Sequence, residues 1–358
     1  MPTIAAECLI RREGRAGRIT LNRPEALNAM TFAMLSAIAA ALSSWRSDPA
    51  IEVVILDGAG DRALCAGGDV ISLYEASARG AKPDAALAAT FWRDEYRLNA
   101  AIKRYPKPYV AIMDGIVMGG GVGLSAHGRY RIVTEKTMVA MPETAIGLIP
   151  DVGGTWLLGH AQGRFGEYLG LTGARMDGAD AIQAGFADIF MSRADVPAFV
   201  ARLADKSSGT IDEIVDDVSD MPVPPSKLAE KRDLISTIFA LETVEAMRGA
   251  ALGTTEPLAQ RIASDLASKS PKAMTLALAA IRAARTLPTL EAALVTEYRL
   301  VNRLYRGGEF PEGIRALLID KDKAPKWSPP SLAEVTPAMV ADYLAPLEGL
   351  QDLTFPAH

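Results

Sequence analysis

The sequence predicts an α/β fold in which a parallel sheet is followed by a helical C-terminal region. Three short runs rich in β-branched residues, at 51–57, 109–113 and 129–134, are typical of strands buried on both faces. Helical segments separate these runs, and such alternation is typical of parallel strands joined by right-handed crossovers. From residue 196 onward β-branched runs become scarce and helical periodicity dominates.

The elements of the N-terminal part follow one another in a regular order. Residues 8–12 and 17–21 flank the turn 13–16 and predict a β-hairpin. An amphipathic helix at 32–45 is expected to end before Pro49. The further predicted elements are a strand at 51–57, a loop at 58–69, a helix at 82–104, strands at 109–113 and 129–134, and two short helices within 163–188.

A proline-rich segment precedes the C-terminal part. Three prolines within residues 219–227 cannot continue a helix, so a hinge is predicted there. We therefore predict two regions, 1–218 and 219–358, with the second packed on the first. The strongest helical patterns of the second region lie at 270–285 and 289–305. Each starts with a Ser or Thr and has a proline near its boundary.

Composition narrows the class of protein. The 358 residues include 43 acidic and 38 basic side chains, and a net charge of −5 argues against a general nucleic-acid binder. Three His and two Cys at unrelated positions argue against a zinc site or a disulfide framework. No signal peptide or membrane span is predicted, since the most apolar window, 109–126, contains several glycines and is expected to be buried in protein. We therefore expect a cytoplasmic protein without a metal.

Two motif matches suggest chemistry that their surroundings do not support. Residues 58–63 follow a strand and match a dinucleotide-binding fingerprint, but residues 64–69 extend the loop where the fingerprint requires a helix. Ser125 and His127 lack the G-x-S-x-G spacing, and two residues apart on one helix their side chains point to different faces. A plain βα loop and a helix-end histidine are the better interpretations.

Two glycine clusters each follow a predicted strand. The first, which includes Gly68, lies in the 58–69 loop, and the second runs from Gly119 to Gly123 and opens a short helix. Glycine leaves backbone N–H groups unobstructed, and two converging N–H groups would form an oxyanion hole. Close packing of a helix on a sheet requires glycine equally. The glycines alone therefore leave both interpretations open.

Three acidic residues lie in apolar surroundings. Glu143 and Asp151 are the only formally charged residues between Lys136 and Arg164. Burial would raise the pKa of both carboxyl groups, as suits a general base or a nucleophile. The alternatives are a solvated loop acid for Glu143 and a helix N-cap for Asp151. Glu95 falls on the inward stripe of the 82–104 helix, where a buried carboxyl group needs a partner, either an arginine or a substrate.

Together these segments resemble the crotonase (enoyl-CoA hydratase/isomerase) superfamily over residues 10–200. The matching motifs occur in the family's order: ITLNRPEALNAM at 19–30, LCAGGDV at 64–70, and the stretch at 107–154 that begins KPYVAIMDG and ends LIPDVGG. The resemblance implies a crotonase-like ββα superhelix with a helical C-terminal region. It also implies that the N–H groups of Gly68 and Gly120 form an oxyanion hole for the thioester carbonyl of an acyl-CoA.

One departure from the family pattern narrows the activity. Hydratases of this family use two glutamates, one after the glycine triplet and one at the P-E position. Here the second is Glu143, but the first position is Gly123, and Asp151 supplies a carboxylate elsewhere. The segments MPETAIGLIPDVGG at 141–154 and FPEGIRALLIDKDKAPKW at 310–327 resemble the 3-hydroxyisobutyryl-CoA hydrolase branch, and that resemblance covers nearly the whole chain.

The resemblance implies hydrolysis of a short 3-hydroxyacyl-CoA thioester, with 3-hydroxyisobutyryl-CoA of valine catabolism as the expected substrate. Glu143 would attack the carbonyl or deprotonate water, and Asp151 would orient that water. Glu95 would bind the 3-hydroxyl group, so that the substrate contacts are Glu95, Gly120, Glu143 and Asp151. Coenzyme A belongs to the substrate, so no cofactor is expected.

The remaining expectations concern partners and rival activities. Arg62 and the lysines Lys321, Lys323 and Lys326 are candidate partners of the CoA phosphates. No nucleic acid or membrane is expected. A homo-oligomer is an open alternative, since relatives commonly form trimers while a C-terminal extension can replace contacts between subunits. The rival functions are an enoyl-CoA hydratase or isomerase with Glu143 as sole acid and base, and a catalytically silent CoA-binding protein.

Overall fold

The computed structural model describes residues 6–78 and 85–356, which divide into two units. The sheet unit consists of residues 6–69, 97–139 and 176–227. The helical unit consists of residues 70–78, 85–96, 140–175 and 228–356. Each unit is built from segments that are distant in sequence. The predicted division between residues 218 and 219 follows the order of the chain, and it stays a prediction.

The strands of the described residues form two sheets. In chain order they are β1 Cys8–Glu13, β2 Ala16–Leu21, β3 Val53–Gly58, β4 Ala63–Cys65, β5 Tyr109–Met113, β6 Ile116–Met118, β7 Tyr130–Val133, β8 Met138–Ala140 and β9 Ile189–Phe190. The larger sheet has the order β1-β2-β3-β5-β7-β9, and the smaller has the order β4-β6-β8. Only the β1–β2 pair of the larger sheet is antiparallel.

The predicted hairpin and the three predicted parallel strands are confirmed. Glu13 pairs with Ala16 across a turn in which Gly14 has a φ of +57°, a conformation that glycine adopts without strain. The short strand β4 lies where a plain loop was predicted. Its three residues pair with β6, a contact distant in sequence that local patterns do not reveal. The expected burial of the 109–126 window is also confirmed for β5 and the glycine-rich helix after β6.

The helices alternate with the strands at first and then follow one another directly. In chain order they are α1 Phe32–Trp45, α2 Val70–Ala78, α3 Ala85–Lys103, α4 Gly120–Ser125, α5 Gly154–His160, α6 Phe165–Thr172, α7 Gly178–Gln183, α8 Val196–Ala204, α9 Ile211–Ser219, α10 Lys227–Glu230, α11 Arg232–Phe239, α12 Val244–Leu252, α13 Pro257–Ser268, α14 Pro271–Ala284, α15 Leu290–Arg306, α16 Glu309–Ile314 and α17 Pro337–Leu344. The predicted start of α3, at residues 82–84, lies outside the described residues.

The core of the sheet unit lies between one face of the larger sheet and helices α8 and α9. Ile55 and Val110 project from neighbouring parallel strands, and Leu203 and Ile214 project from the two helices. All four are fully buried. This arrangement explains why β3 and β5 are continuous apolar runs rather than alternating ones.

The helical unit is organised around α14 and α15. Helix α14 packs against α5 and α6, and α15 packs against α5, α14 and α16. The predicted Ser and Thr starts are confirmed: Ser270 accepts a hydrogen bond from the Ala273 N–H, and Thr289 accepts one from the Ala292 N–H. Contact between α15 and α5 matters for the site, because α5 follows Asp151 directly.

Within residues 6–78 and 85–356, no helix combines the length and the apolar character needed to cross a membrane.

Candidate active site

The helical unit buries several acidic side chains, and four of them interact with one another through their charges: Glu95, Glu143, Asp151 and Glu297. None is more than 6% exposed. Burial raises the pKa of every one of these carboxyl groups, and the charge of Asp151 raises the pKa of the other three further. Asp151 is therefore the electrostatic neighbour that the cluster shares. Three of the four were predicted site residues, and Glu297 was not.

Asp151 is held by a tyrosine. The Tyr96 hydroxyl donates a hydrogen bond of 2.6 Å to Oδ2 of Asp151, and Tyr96 itself is fully buried. Burial raises the pKa of Asp151 to about 6, although the Tyr96 bond and a backbone bond oppose the shift. The alternative role of helix N-cap is wrong, because α5 has Gly153 as its N-cap residue and no capping side chain. The buried carboxyl group is thus available to a ligand.

Glu143 begins a short 3₁₀ helix, Glu143–Ile146, and is also buried. The interpretation as a solvated loop acid is therefore wrong. Burial first, and the charge of Asp151 second, raise the pKa of Glu143 well above its ordinary value. Among the described residues its Oε2 atom has no hydrogen-bond partner. A buried carboxyl group with a raised pKa and an unpartnered oxygen is suited to accept a proton or to attack a bound ligand.

Glu95 lies on α3 as the helical periodicity predicted. It is 3% exposed, and burial together with the charge of Asp151 raises its pKa well above the ordinary range. Within the described residues no arginine forms an ion pair with Glu95, so the arginine alternative is wrong for this part of the chain. The stripe itself is only partly buried, since Phe91 and Leu98 are inside and Leu87 is exposed.

Glu297 is the acidic residue that the sequence analysis missed. Its carboxylate accepts hydrogen bonds from the Gly153 N–H (2.7 Å), the Thr155 N–H (2.9 Å) and the Thr155 hydroxyl. Burial raises its pKa to about 8, and these bonds oppose the shift. The signal was present in α15, where inward positions recur every three or four residues. The stripe is Leu290, Leu294, Glu297, Val301 and Leu304.

The two predicted oxyanion-hole glycines lie in the sheet unit, Gly68 in the loop after β4 and Gly120 at the first position of α4, which follows β6. Cys65 pairs with Val117 in the β4–β6 ladder, and Gly68 and Gly120 each follow three residues later. A bridge with Met30 fixes the Gly68 loop. Within the described part of the chain, neither glycine N–H donates a hydrogen bond. Gly68 and Gly120 therefore lie at equivalent distances after two paired strands. Each provides a backbone N–H group that donates no hydrogen bond within the described residues.

Packing also requires glycine in the second cluster. A Cβ atom at Gly121 would lie 2.3 Å from the Cys65 carbonyl oxygen, so α4 approaches β4 too closely for any side chain. The two interpretations of the glycines thus apply to different residues. Gly121 is needed for packing, while Gly120, at the first helical position, has an N–H with no partner inside its helix.

The motifs that the sequence analysis set aside have ordinary structural roles. The Ser125 hydroxyl donates to the Gly121 carbonyl oxygen at 2.7 Å, inside its own helix. Strand β4, not a helix, follows residues 58–63, so the dinucleotide fingerprint is absent there. The candidate phosphate partners Arg62, Lys321, Lys323 and Lys326 are all exposed. Their role stays a prediction.

A model of the enoyl-CoA hydratase/isomerase family matches residues 16–344, and the chain belongs to this family. The chain is 39% identical to the mitochondrial 3-hydroxyisobutyryl-CoA hydrolase of Gallus gallus, over 98% of this chain and 91% of that protein. This similarity confirms the resemblance to the hydrolase branch.

Two solved structures confirm the predicted crotonase-like α/β fold. A carnitinyl-CoA dehydratase from Mycobacterium thermoresistibile has a TM-score of 0.91 and 44% identity, covering 99% of this chain and 100% of that one. An enoyl-CoA hydratase from Rhodobacter sphaeroides has a TM-score of 0.91 and 45% identity, covering 98% and 100%.

The expected cytoplasmic location is contradicted by the relative from Gallus gallus, which is named a mitochondrial enzyme. The expectation rested on two isolated cysteines and on the prediction that residues 1–15 are not a signal peptide. A lack of disulfides separates oxidising from reducing environments, but it does not distinguish one reducing compartment from another.

Replacing Tyr96 by Phe should raise the pKa of Asp151 above about 6, because the lost hydrogen bond favours the ionised carboxylate. A bond to a charged group contributes about 1.5–3 kcal/mol, which corresponds to about one to two pH units. Carbon-13 NMR titration of labelled aspartate measures the shift. The matched control is Tyr298→Phe, which removes a buried phenol bonded to the Ala89 carbonyl oxygen. Equal shifts in both variants would contradict the prediction.

Proposed function

We propose that this protein hydrolyses the thioester of a short 3-hydroxyacyl-CoA, with 3-hydroxyisobutyryl-CoA as its substrate in valine catabolism. The observation that carries the proposal is the pair of buried acids Glu143 and Asp151, with Asp151 bound to Tyr96. The name of the relative from Gallus gallus supports the same reaction. The products would be 3-hydroxyisobutyrate and free coenzyme A.

In the proposed reaction Glu143 performs the central step. Ionised Glu143 either attacks the thioester carbonyl to form a mixed anhydride, which water then cleaves, or deprotonates the water that attacks. In both routes the C–S bond breaks and the thiolate of coenzyme A takes up a proton. The raised pKa of Glu143 makes its ionised form more basic than an exposed glutamate. The unpartnered Oε2 atom leaves an oxygen for this contact.

Asp151 is proposed to orient the hydrolytic water. With a pKa of about 6 it is largely ionised at neutral pH and can accept a hydrogen bond from water while Tyr96 holds its other side. Its charge also raises the pKa of Glu143, so that the ionised form of Glu143 is a stronger base. In this proposal Asp151 orients the water, and Glu143 attacks the carbonyl or deprotonates that water.

We propose that two backbone N–H groups of the sheet unit stabilise the negative charge that develops on the thioester carbonyl oxygen. The N–H groups of Gly68 and Gly120 would donate to the carbonyl oxygen as it gains negative charge, and each such donor is typically worth about 10² to 10³ in rate. Pairing of β4 with β6 and the Met30 bridge would hold these donors in place before the substrate binds. Pre-organisation of this kind is what makes amide donors effective.

Specificity is proposed to depend on Glu95. Glu95 is buried and forms no ion pair within residues 6–78 and 85–356, and a buried carboxyl group is costly unless a hydrogen-bonding group such as the substrate's 3-hydroxyl satisfies it. Coenzyme A is part of the substrate, and carboxyl groups with backbone amides suffice for the chemistry. We therefore propose that no metal or cofactor participates.

Basic side chains at Arg62 and in residues 321–326 remain the proposed partners of the CoA phosphates.

A hydratase is the second candidate function, because the two solved structures with 44% and 45% identity are named a dehydratase and a hydratase. Gly123 argues against it, since the glutamate that would help hold the attacking water in a hydratase is missing at that position. A catalytically silent CoA-binding protein is the third candidate, and retention of Glu143 and Asp151 argues against it.

The purified protein should release free thiol from 3-hydroxyisobutyryl-CoA, measured with a thiol reagent. Isobutyryl-CoA should have a lower kcat/KM, by a factor of up to about 10⁴. This substrate lacks the 3-hydroxyl group, so the buried carboxyl group proposed to bind that hydroxyl is left without a hydrogen bond. Crotonyl-CoA, followed by its loss of absorbance, should not be hydrated. Hydration of crotonyl-CoA without thiol release from any substrate would favour the hydratase.

Replacing Glu143 by Gln should lower thiol release by about 10² to 10⁴, because the amide can neither attack nor take up a proton. Affinity for coenzyme A, measured by calorimetry, should stay near that of the unchanged protein. The control is Glu245→Gln, an exposed acid on α12 that should keep full activity. Turnover retained in Glu143→Gln would remove this residue from the proposed mechanism.

Replacing Glu95 by Ala should reduce the preference for 3-hydroxyisobutyryl-CoA over isobutyryl-CoA by about 10- to 100-fold, the effect of one hydrogen bond to a charged or buried partner. Glu95→Gln, which keeps a polar side chain of the same length, should keep part of the preference. The ratio of kcat/KM values for the two substrates is the measurement. An unchanged ratio in Glu95→Ala would show that Glu95 does not contact the hydroxyl group.

A further inference from the structure

The turn that carries Asp151 has an unusual backbone. Val152 has a φ of +53° and Gly153 a φ of +80°. A β-branched residue rarely adopts a positive φ, and such a conformation persists only where the surrounding structure imposes it. The Gly154 N–H closes the turn by donating to the Asp151 carbonyl oxygen at 2.6 Å. Contacts with the surrounding structure must therefore stabilise this turn, because the backbone conformation of Val152 is unfavourable for a β-branched residue.

Glu297 on α15 supplies the contacts that hold it. One carboxylate oxygen accepts the Gly153 N–H at 2.7 Å, and the other accepts the Thr155 N–H at 2.9 Å and the Thr155 hydroxyl. The side chain is fully buried, and Gly153 provides no capping side chain of its own. A residue more than a hundred positions away thus replaces the local N-cap of α5.

We propose that Glu297 is a positioning residue for the thioester hydrolysis proposed above. Glu297 binds the N–H groups of Gly153 and Thr155 and thereby fixes the backbone that follows Asp151. Tyr96 binds the carboxylate of Asp151 and fixes the other end of this residue. This inference rests on the proposed function for its kinetic consequence. Its structural part, the restraint of the 151–155 turn, is independent of which reaction the protein catalyses.

A second line of support is electrostatic. The charge of Glu297 contributes to the raised pKa of Glu143, and the charge of Asp151 raises the pKa of Glu297. Glu297 therefore acts electrostatically on Glu143 without forming a hydrogen bond to it in the described part of the chain, in addition to holding the turn that carries Asp151. Donation from Gly153 and Thr155 favours the ionised carboxylate, against the effect of burial.

The test uses three variants and one matched control. Glu297→Gln keeps the size of the side chain but turns one acceptor into a donor that faces an N–H group. Thr155→Val removes only the hydroxyl contact, and Thr155→Ser restores it. The control is Glu167→Gln, a fully buried acid of the same unit whose ion pairs among the described residues are with Arg164, Arg282 and Arg285 rather than with the 151–155 turn.

If Glu297 positions the turn, Glu297→Gln should lower kcat for thiol release by about 10²-fold while KM stays near its original value, since a displacement of about 1 Å can have this effect. Thr155→Val should give a smaller loss, and Thr155→Ser should recover most of it. Amide hydrogen exchange of the segment containing Gly153 and Thr155 should become faster in Glu297→Gln. Glu167→Gln should lower the melting temperature by about as much as Glu297→Gln does. It should change neither kcat nor the amide hydrogen exchange of Gly153 and Thr155.

Two outcomes would overturn the proposal. Unchanged exchange at Gly153 and Thr155 in Glu297→Gln would show that the carboxylate does not restrain the turn. Equal losses of kcat in Glu297→Gln and Glu167→Gln would show that Glu297 affects kcat only through the overall stability of the protein. If the unchanged protein releases no thiol from any substrate, the proposed function fails, while the exchange measurement still decides whether Glu297 holds the turn. Should Glu297→Gln fail to fold, Thr155→Val and Thr155→Ser decide the question by the same measurements.

Discussion

Negative charge confined in a buried volume is the constraint on which the proposed site depends. Glu95, Glu143, Asp151 and Glu297 are buried in the helical unit, and the charge of Asp151 opposes ionisation of the other three. Since they cannot all ionise near neutral pH, the surroundings decide which of them does. The pKa of Asp151 is raised to about 6 and that of Glu297 to about 8, while those of Glu95 and Glu143 are raised well above the ordinary value.

Burial raises the pKa of Asp151 and of Glu297, and hydrogen-bond donors oppose the increase at both carboxyl groups. Asp151 has the Tyr96 hydroxyl, and Glu297 has three donors, whereas the Oε2 atom of Glu143 has none among the described residues. The arrangement has a cost in stability. A carboxyl group with a raised folded-state pKa contributes stability below its ordinary pKa that is lost as the pH rises, for Glu297 between about 4.5 and 8. Buried acids kept at such a cost are typical of functional sites.

Local patterns predicted much of the fold and most of the candidate site. The hairpin, β3, β5, α1 and α14 follow from alternation, β-branched runs and capping residues, because these signals lie within the element itself. Periodicity also placed Glu95 on an inward face, and the same argument applied to α15 would have found Glu297. Strand β4 and the partner of Asp151 could not be predicted, since both depend on residues distant in the chain.

The sequence by itself determined most types of element, the candidate acids Glu95, Glu143 and Asp151, and the two glycine clusters, because hydrophobic periodicity and glycine requirements are local properties. Only the tertiary structure decided how these acids differ from one another. Tyr96, Gly153 and Thr155 reach their carboxylate partners across separations of 55 to 144 residues. A pKa depends on distances in space and on exclusion of water, and neither quantity exists until the chain has folded.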